Sequence, residues 1–215
     1  MKIKFQSAVI PIIIANIVVF VLQLVLGTGF TESFMLISKE VFMRPWILVT
    51  SMFLHANINH LLFNMYALFI FGPLIEQRIG KKRFLFIYFL SGIVAALIST
   101  FFYHSALGAS GAIMGILGVT IMLLPDLQVL LFFFIPMSMR TAGVIFALID
   151  IFGIFVPSGV ANIAHLVGLS LGIIYGYYLL KQKKAFKKRF ERKVHTNSIE
   201  MGKDDINDYL RHGKL

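Results

Sequence analysis

Six stretches of this chain are long and apolar enough to cross a lipid bilayer, and they constrain the fold more than any other feature. Hydrocarbon offers no water to backbone N–H and C=O groups, so each stretch is expected to satisfy its own backbone as a helix of about 20 residues. The runs are 8–26, 58–74, 84–102, 108–124, 141–156 and 161–180. Of the 215 residues 58% are hydrophobic, against about 45–50% in soluble domains, and the 14% that are charged cluster between the runs. The pattern predicts an all-α membrane protein, a six-transmembrane-helix bundle with a long structured loop between the first two spans. It divides into a membrane domain over 1–180 and a basic cytoplasmic tail over 181–215. The run 127–135, "LQVLLFFFI", is too short to span and is followed by Pro136, which marks it as an interfacial segment. No cleavable leader is expected, because the first run is long enough to span and no small-residue cleavage site follows it.

Charge sets the orientation. Lys2 and Lys4 precede the first span, Arg78, Lys81, Lys82 and Arg83 join the second to the third, Arg140 precedes the fifth, and Lys181, Lys183 and Lys184 follow the sixth. With six spans all of these fall on one side, while the other side has Lys39 and Arg44 in the connection 27–57. The positive-inside rule then puts both termini in the cytoplasm, with the cell membrane as the expected location. The net charge of +10 does not call for nucleic acid, because its excess follows an apolar run and suits anionic lipid headgroups. The absence of cysteine excludes disulfides and thiolate chemistry.

Polar side chains inside spans are costly, so each is a candidate functional group to be weighed against ordinary packing. Ser110 lies in "GASGAIMG", where a span serine most often bonds a carbonyl one turn back in its own helix; the flanking glycines instead clear room for a substrate backbone. His165 lies in "ANIAHLVGLSLG", and Gly168 and Gly172 after it form a small-xxx-small face for a close partner helix. The fourth span, with Gly108, Gly111, Gly115 and Gly118, is the obvious partner, which would bring the imidazole toward the hydroxyl. In "HANINHLLFNM", His60 and Asn64 stand one turn apart on one helical face. His55 and His60 do not make a convincing metal pair, because no carboxylate or thiolate accompanies them, and neither a metal nor another cofactor is expected.

The second, fourth and sixth spans run in the same direction, so depth can be compared. Ser110 is six residues past His104, His165 six past Gly159 and Asn64 seven past Asn57. At helical rise all three lie roughly 9–11 Å below the outer edge, with His60 about one turn shallower. A serine hydroxyl needs a base to take its proton, and histidine is the usual one. Ser110 as nucleophile, His165 as general base, and His60, Asn64 and the Ser110 N–H as oxyanion donors make a set sufficient for acyl transfer.

These motifs resemble those of the rhomboid intramembrane serine proteases: "GASG" around Ser110, "AHLVG" with His165, and "HLLFN" with His60 and Asn64, each on the span where the family has it. The resemblance covers about residues 1–180. It implies a six-helix core, a Ser-His dyad without a third acid, an oxyanion role for His60 and Asn64, and single-span membrane proteins as substrates, cut near the outer face, often at small residues. The "RPW" stretch is only loosely similar to the family's Trp-Arg loop, and no residue role is carried from it. Met114 stands where the family commonly has an aromatic residue packed on the catalytic histidine; methionine can fill that space through its polarizable sulfur, with more freedom.

Asp150, in the fifth span, lies by helical rise nearly level with His165, where a soluble-protease template would make it the third member of a triad that orients the histidine. It is read instead as a protonated structural carboxyl hydrogen-bonded to a neighbouring helix, because the resemblance implies a dyad and a fifth helix that flanks the site as a mobile element. Two other functions draw on the same residues. One is a rhomboid-like pseudoprotease that binds membrane proteins without cutting them, although such proteins typically lack the serine or the histidine. The other is a small proton-coupled transporter using Asp150, His60 and His165 as its path, against which stands the lack of evident inverted repeats.

Overall fold

The computed structural model describes residues 7–131, 134–156 and 159–195. Lys2, Lys4, Pro157 and the distal tail 196–215 lie outside them. Helices cover all six apolar runs: α1 (Val9–Leu26), α4 (Ile58–Ile79), α5 (Lys81–Ser99), α6 (Ser110–Leu123), α7 (Met139–Gly153) and α8 (Asn162–His195). Four are long and apolar enough to cross a membrane: α1, α4, α5 and the Asn162–Lys187 part of α8. At 14 and 15 residues, α6 and α7 are shorter than a bilayer requires by themselves. The protein is a mostly helical, multi-pass integral membrane protein.

The connection between α1 and α4 carries two short helices, α2 (Thr28–Phe34) and α3 (Ile47–Thr50), and a two-residue strand β1 (Leu36–Ile37). β1 pairs antiparallel with β2 (Ser105–Ala106), which lies just ahead of α6. Leu36, Val41 and Ile47 form a small apolar core of their own under this connection. In the segment 127–135, β3 (Gln128–Leu131) pairs antiparallel with β4 (Ile135–Ser138), and residues 132–133 lie outside the described ones. α7 follows without a gap, its first turn capped by the Ser138 hydroxyl, which accepts the Thr141 N–H.

Two polar devices set the helix ends away from the candidate site. Gly80, at φ +83°, ends α4 and starts α5 in a single residue, a backbone conformation that glycine adopts without a Cβ penalty. Glu76, buried near that end of α4, accepts the Ala8 N–H at 2.7 Å and the Ser7 hydroxyl at 2.6 Å. Glu76 thus holds the residue just ahead of α1 and ties the start of α1 to α4, while the Ser7 hydroxyl accepts the Val9 N–H.

The central element is α6, whose residues from Gly111 to Thr120 are all buried. Against α5, a Cβ on Gly111 would lie 2.8 Å from the Ala95 methyl, and one on Gly115 would overlap the Ser91 side chain. Against α8 the backbones themselves touch: a Cβ on Gly168 would run into the Gly111 carbonyl, and one on Gly172 into the Gly115 carbonyl. Glycine is what permits this approach, as in small-xxx-small helix pairs generally. α8 then continues unbroken past Leu180, so the change from apolar to basic composition falls within one helix.

Candidate active site

Of the expected residues, Ser110, His60 and His165 lie in the first turn of three helices, and Asn64 one turn further along α4. Ser110 is the first residue of α6, His60 the third of α4 and His165 the fourth of α8. The depth estimate at helical rise does not describe how they come level. Residues 104–109 are not helical, and α8 starts only at Asn162, so the count to Ser110 and the first part of the count to His165 do not climb at 1.5 Å per residue, whereas the count to Asn64 does. What aligns the side chains is that all three helices begin at the same place. Aligned peptide dipoles also make the start of a helix electropositive, which suits a site where negative charge develops.

Gly108 is the point of closest approach. Its φ of +124° lies outside the range that residues with a side chain favour, and its N–H donates to the Ser51 carbonyl at 2.9 Å. A Cβ there would lie 2.8 Å from His60 Nε2, 2.7 Å from His60 Cε1 and 3.8 Å from Ser110 Oγ. The imidazole of His60 and the hydroxyl of Ser110 therefore converge on one spot that only glycine leaves open. His60 Nδ1 accepts the Ala56 N–H at 3.4 Å, which assigns the ring proton to Nε2, the nitrogen facing Gly108. The Asn57 side chain caps this turn by accepting the His60 N–H.

Asn64 is buried, and its amide donates to the His60 carbonyl at 2.8 Å, leaving one of its two amide hydrogens for another partner. His55, outside the helices and buried, meets the His60 ring edge-on with centroids 5.0 Å apart. Burial, with the His60 ring adding to it and a Phe53 backbone contact opposing it, lowers the His55 pKa from 6.5 to about 4. His55 thus stays neutral at physiological pH and places no charge beside His60.

The glycine contacts of α6 with α8 set the backbone around His165 beside the start of α6. The Ala164 carbonyl lies 3.7 Å from a Cβ placed on Gly111, and Gly168 sits on the Gly111 carbonyl. The residues just before His165 and one turn after it thus flank the neighbour of Ser110. His165 Nδ1 lies 2.9 Å from Asp150 Oδ1 on α7, and Asp150 is 5% exposed. Asp150 does bond to a neighbouring helix, and its partner there is the histidine of the candidate site. Met114 is buried in the main apolar core, one turn along α6 from Ser110.

Two features were not anticipated from the sequence. The Tyr103 hydroxyl accepts the Ile163 N–H at 3.1 Å and so caps the first turn of α8, next to His165. A small cavity opens at Ser110, walled by Gly92, Ala95, Ala96, Ser99, Ala161 and Ala164. Small residues were visible in "GASGA" and "SGIVAA", but nothing in them said that the two stretches would line one cavity.

A multi-pass helical membrane protein with serine and histidine side chains gathered at its helix starts is the class that fold and site define. Residues 43–182 match the family described as the rhomboid domain, and the chain belongs to the rhomboid family. It is 32% identical over 144 residues to the putative rhomboid protease YdcA of Bacillus subtilis (strain 168), covering 65% of this chain and 69% of that one. It is 35% identical over 163 residues to the rhomboid protease GluP of the same organism, covering 73% and 31%. With the mitochondrial Rhomboid protein 1 of Saccharomyces cerevisiae it shares 32% over 190 residues, covering 83% and 54%. The chain thus spans about half the length, or less, of several relatives it matches.

Proposed function

We propose that this protein is an intramembrane serine endopeptidase that cuts single-span membrane proteins near the outer membrane face. The observation that carries the reading is the convergence of Ser110 Oγ and His60 Nε2 on Gly108, beside an α8 backbone locked against Gly111. In the proposed reaction His165 Nε2 takes the Ser110 proton as Oγ attacks the scissile carbonyl. The oxyanion is held by the His60 Nε2–H and the Ser110 N–H, with the start of α6 adding its dipole and Asn64 offering its remaining amide hydrogen. His165 then returns the proton to the leaving amine, and water, activated by the same imidazole, releases the acyl group from Ser110.

The positive-inside rule supports the sidedness. Arg78, Lys81, Lys82 and Arg83 lie at the α4–α5 turn, the opposite end of α4 from His60. With that turn cytoplasmic, the site opens outward and both termini face the cytoplasm, in the cell membrane. Cysteines placed singly at Lys39 and Lys82 should react with an impermeant thiol reagent from opposite sides; labelling from one side would reverse or remove this sidedness.

The test of the activity is incubation of the purified protein, in liposomes, with a panel of single-span substrates and mass spectrometry of the products. Cleavage is expected within the outer part of the substrate span, and Ser110→Ala and His165→Ala should each abolish it while leaving a folded protein. Substantial cleavage by Ser110→Ala would overturn the assignment.

A further inference from the structure

We propose that Asp150 is a positioning residue for the base, holding the His165 imidazole with its proton on Nδ1 and so keeping Nε2 free to accept the proton of Ser110. The inference rests on the proposed roles of Ser110 and His165, and it replaces a two-residue relay with a Ser110–His165–Asp150 one.

The placement of Asp150 argues against a merely structural carboxyl. Along α7 the buried side chains Met139 and Ala142, together with Gly143, all sit in the first turn and a half. From Val144 to Gly153, Asp150 is the one buried residue, while Leu148, Ile149, Ile151 and Phe152 around it are exposed on the surface of the bundle. The second half of α7 thus turns a single polar group inward, and that group meets Nδ1 of His165 at 2.9 Å. His165 stands in the fourth position of α8, held by the glycine contacts with α6 whether or not Asp150 is present. The carboxyl is not needed to bring the helix there. What it can settle is the orientation and tautomer of the ring.

Tautomer separates the two roles. A carboxylate can only accept, so its partner nitrogen must carry the proton, and Nε2 is left as the base. A neutral carboxyl donating to Nδ1 would do the reverse: the proton would sit on Nε2, and the imidazole could not take one from Ser110. An asparagine is able to donate in the same way. In soluble serine proteases that substitution leaves the geometry intact and lowers kcat by about 10⁴ through the wrong tautomer. His60 shows the complementary arrangement in the same site, with Nδ1 accepting and Nε2 bearing the proton. The two histidines are thus set as opposite tautomers, one donor and one acceptor toward Ser110.

The experiment combines kinetics with a measurement that does not depend on turnover. Asp150→Asn, purified in the same detergent as the parent protein and matched to it in thermal midpoint, should lose a thousandfold or more in kcat with KM changed less than threefold. Asp150→Glu, which can still accept from Nδ1, should recover at least tenfold over Asp150→Asn. The ¹⁵N shifts of selectively labelled His165 in the unsubstituted protein, at a pH where the ring is neutral, should show the proton on Nδ1. A proton on Nε2 there overturns the proposal even if no Asp150 variant folds. Asp150→Asn cleaving within tenfold of the parent also overturns it. Failure of the protease reading looks different: no cleavage by the unsubstituted protein, with His165 still carrying its proton on Nδ1.

Discussion

The two flanks of His165 are built in opposite ways. On one side α6 and α8 meet backbone to backbone through Gly111, Gly115, Gly168 and Gly172, and α6 is buried continuously from Gly111 to Thr120. On the other, the second half of α7 packs little of its surface inward and reaches His165 through Asp150 alone among its buried residues. The first contact fixes a distance, because carbonyls and Cα atoms in van der Waals contact have no rotamers to exchange. The second fixes an orientation, because one hydrogen bond can turn a ring without holding a helix. The rigid seam lies between α6 and α8, which carry Ser110 and His165, and the less closely packed half of α7 lies outside them.

The seam is the place to break this arrangement most severely. Gly172→Val places a side chain where the Gly115 carbonyl and the Gly118 Cα already stand, and no rotamer change can relieve a backbone clash. Overpacking of buried sites costs about 1–3 kcal/mol, and sometimes more. The expected outcome is the upper end of that range or beyond, read as a large drop in thermal midpoint with loss of cleavage. A stable, active Gly172→Val protein would mean that the seam does not set the geometry.

Next comes the proposed oxyanion side of the site, where His60 and Asn64 differ in what they have left to give. His60→Ala removes an Nε2–H aimed at Gly108 and should lower kcat by about 10²–10³, or roughly 2.7–4 kcal/mol in the transition state, with KM little altered. Asn64→Ala should cost less, because one amide hydrogen is already committed to the His60 carbonyl. Steady-state kinetics on one substrate decides the order, and a larger loss for Asn64→Ala would reverse the two roles. The smallest effect belongs to the outer face of α7. Phe152, 67% exposed, should tolerate Ala within about 0.5 kcal/mol, so its thermal midpoint should match the parent where that of Gly172→Val does not.

Much of this comparison was legible in the sequence, and the parts that were not share a physical cause. The six apolar runs lie where helices form, and the glycines of the fourth and sixth runs pointed to α6 and α8 as partners, because close helix approach demands small residues at a spacing the chain displays. Helix starts were less visible: Ser110 begins α6 after Gly108, and the non-helical approach over 104–109 broke an estimate that assumed uniform rise. The strands β1 and β2 are two residues each and carry no period to detect. In β3–β4 a continuous apolar run concealed the alternation that marks a strand. Helical rise put Asp150 nearly level with His165 and so left a triad partnership open beside the structural reading; choosing between them depends on how α7 is rotated, which a single inward carboxyl among apolar neighbours does not announce. Tyr103 as the cap of α8 depends on a contact across 60 residues and leaves no local trace.

The claim on which the rest depends is that Ser110 is a nucleophile activated by His165. Reaction of the purified protein with a fluorophosphonate, followed by peptide mass mapping, tests it without requiring the natural substrate. One stoichiometric adduct is expected on the peptide carrying Ser110, absent in Ser110→Ala and strongly reduced in His165→Ala. A folded protein that takes no label at Ser110, or one whose labelling is unchanged in His165→Ala, would contradict it.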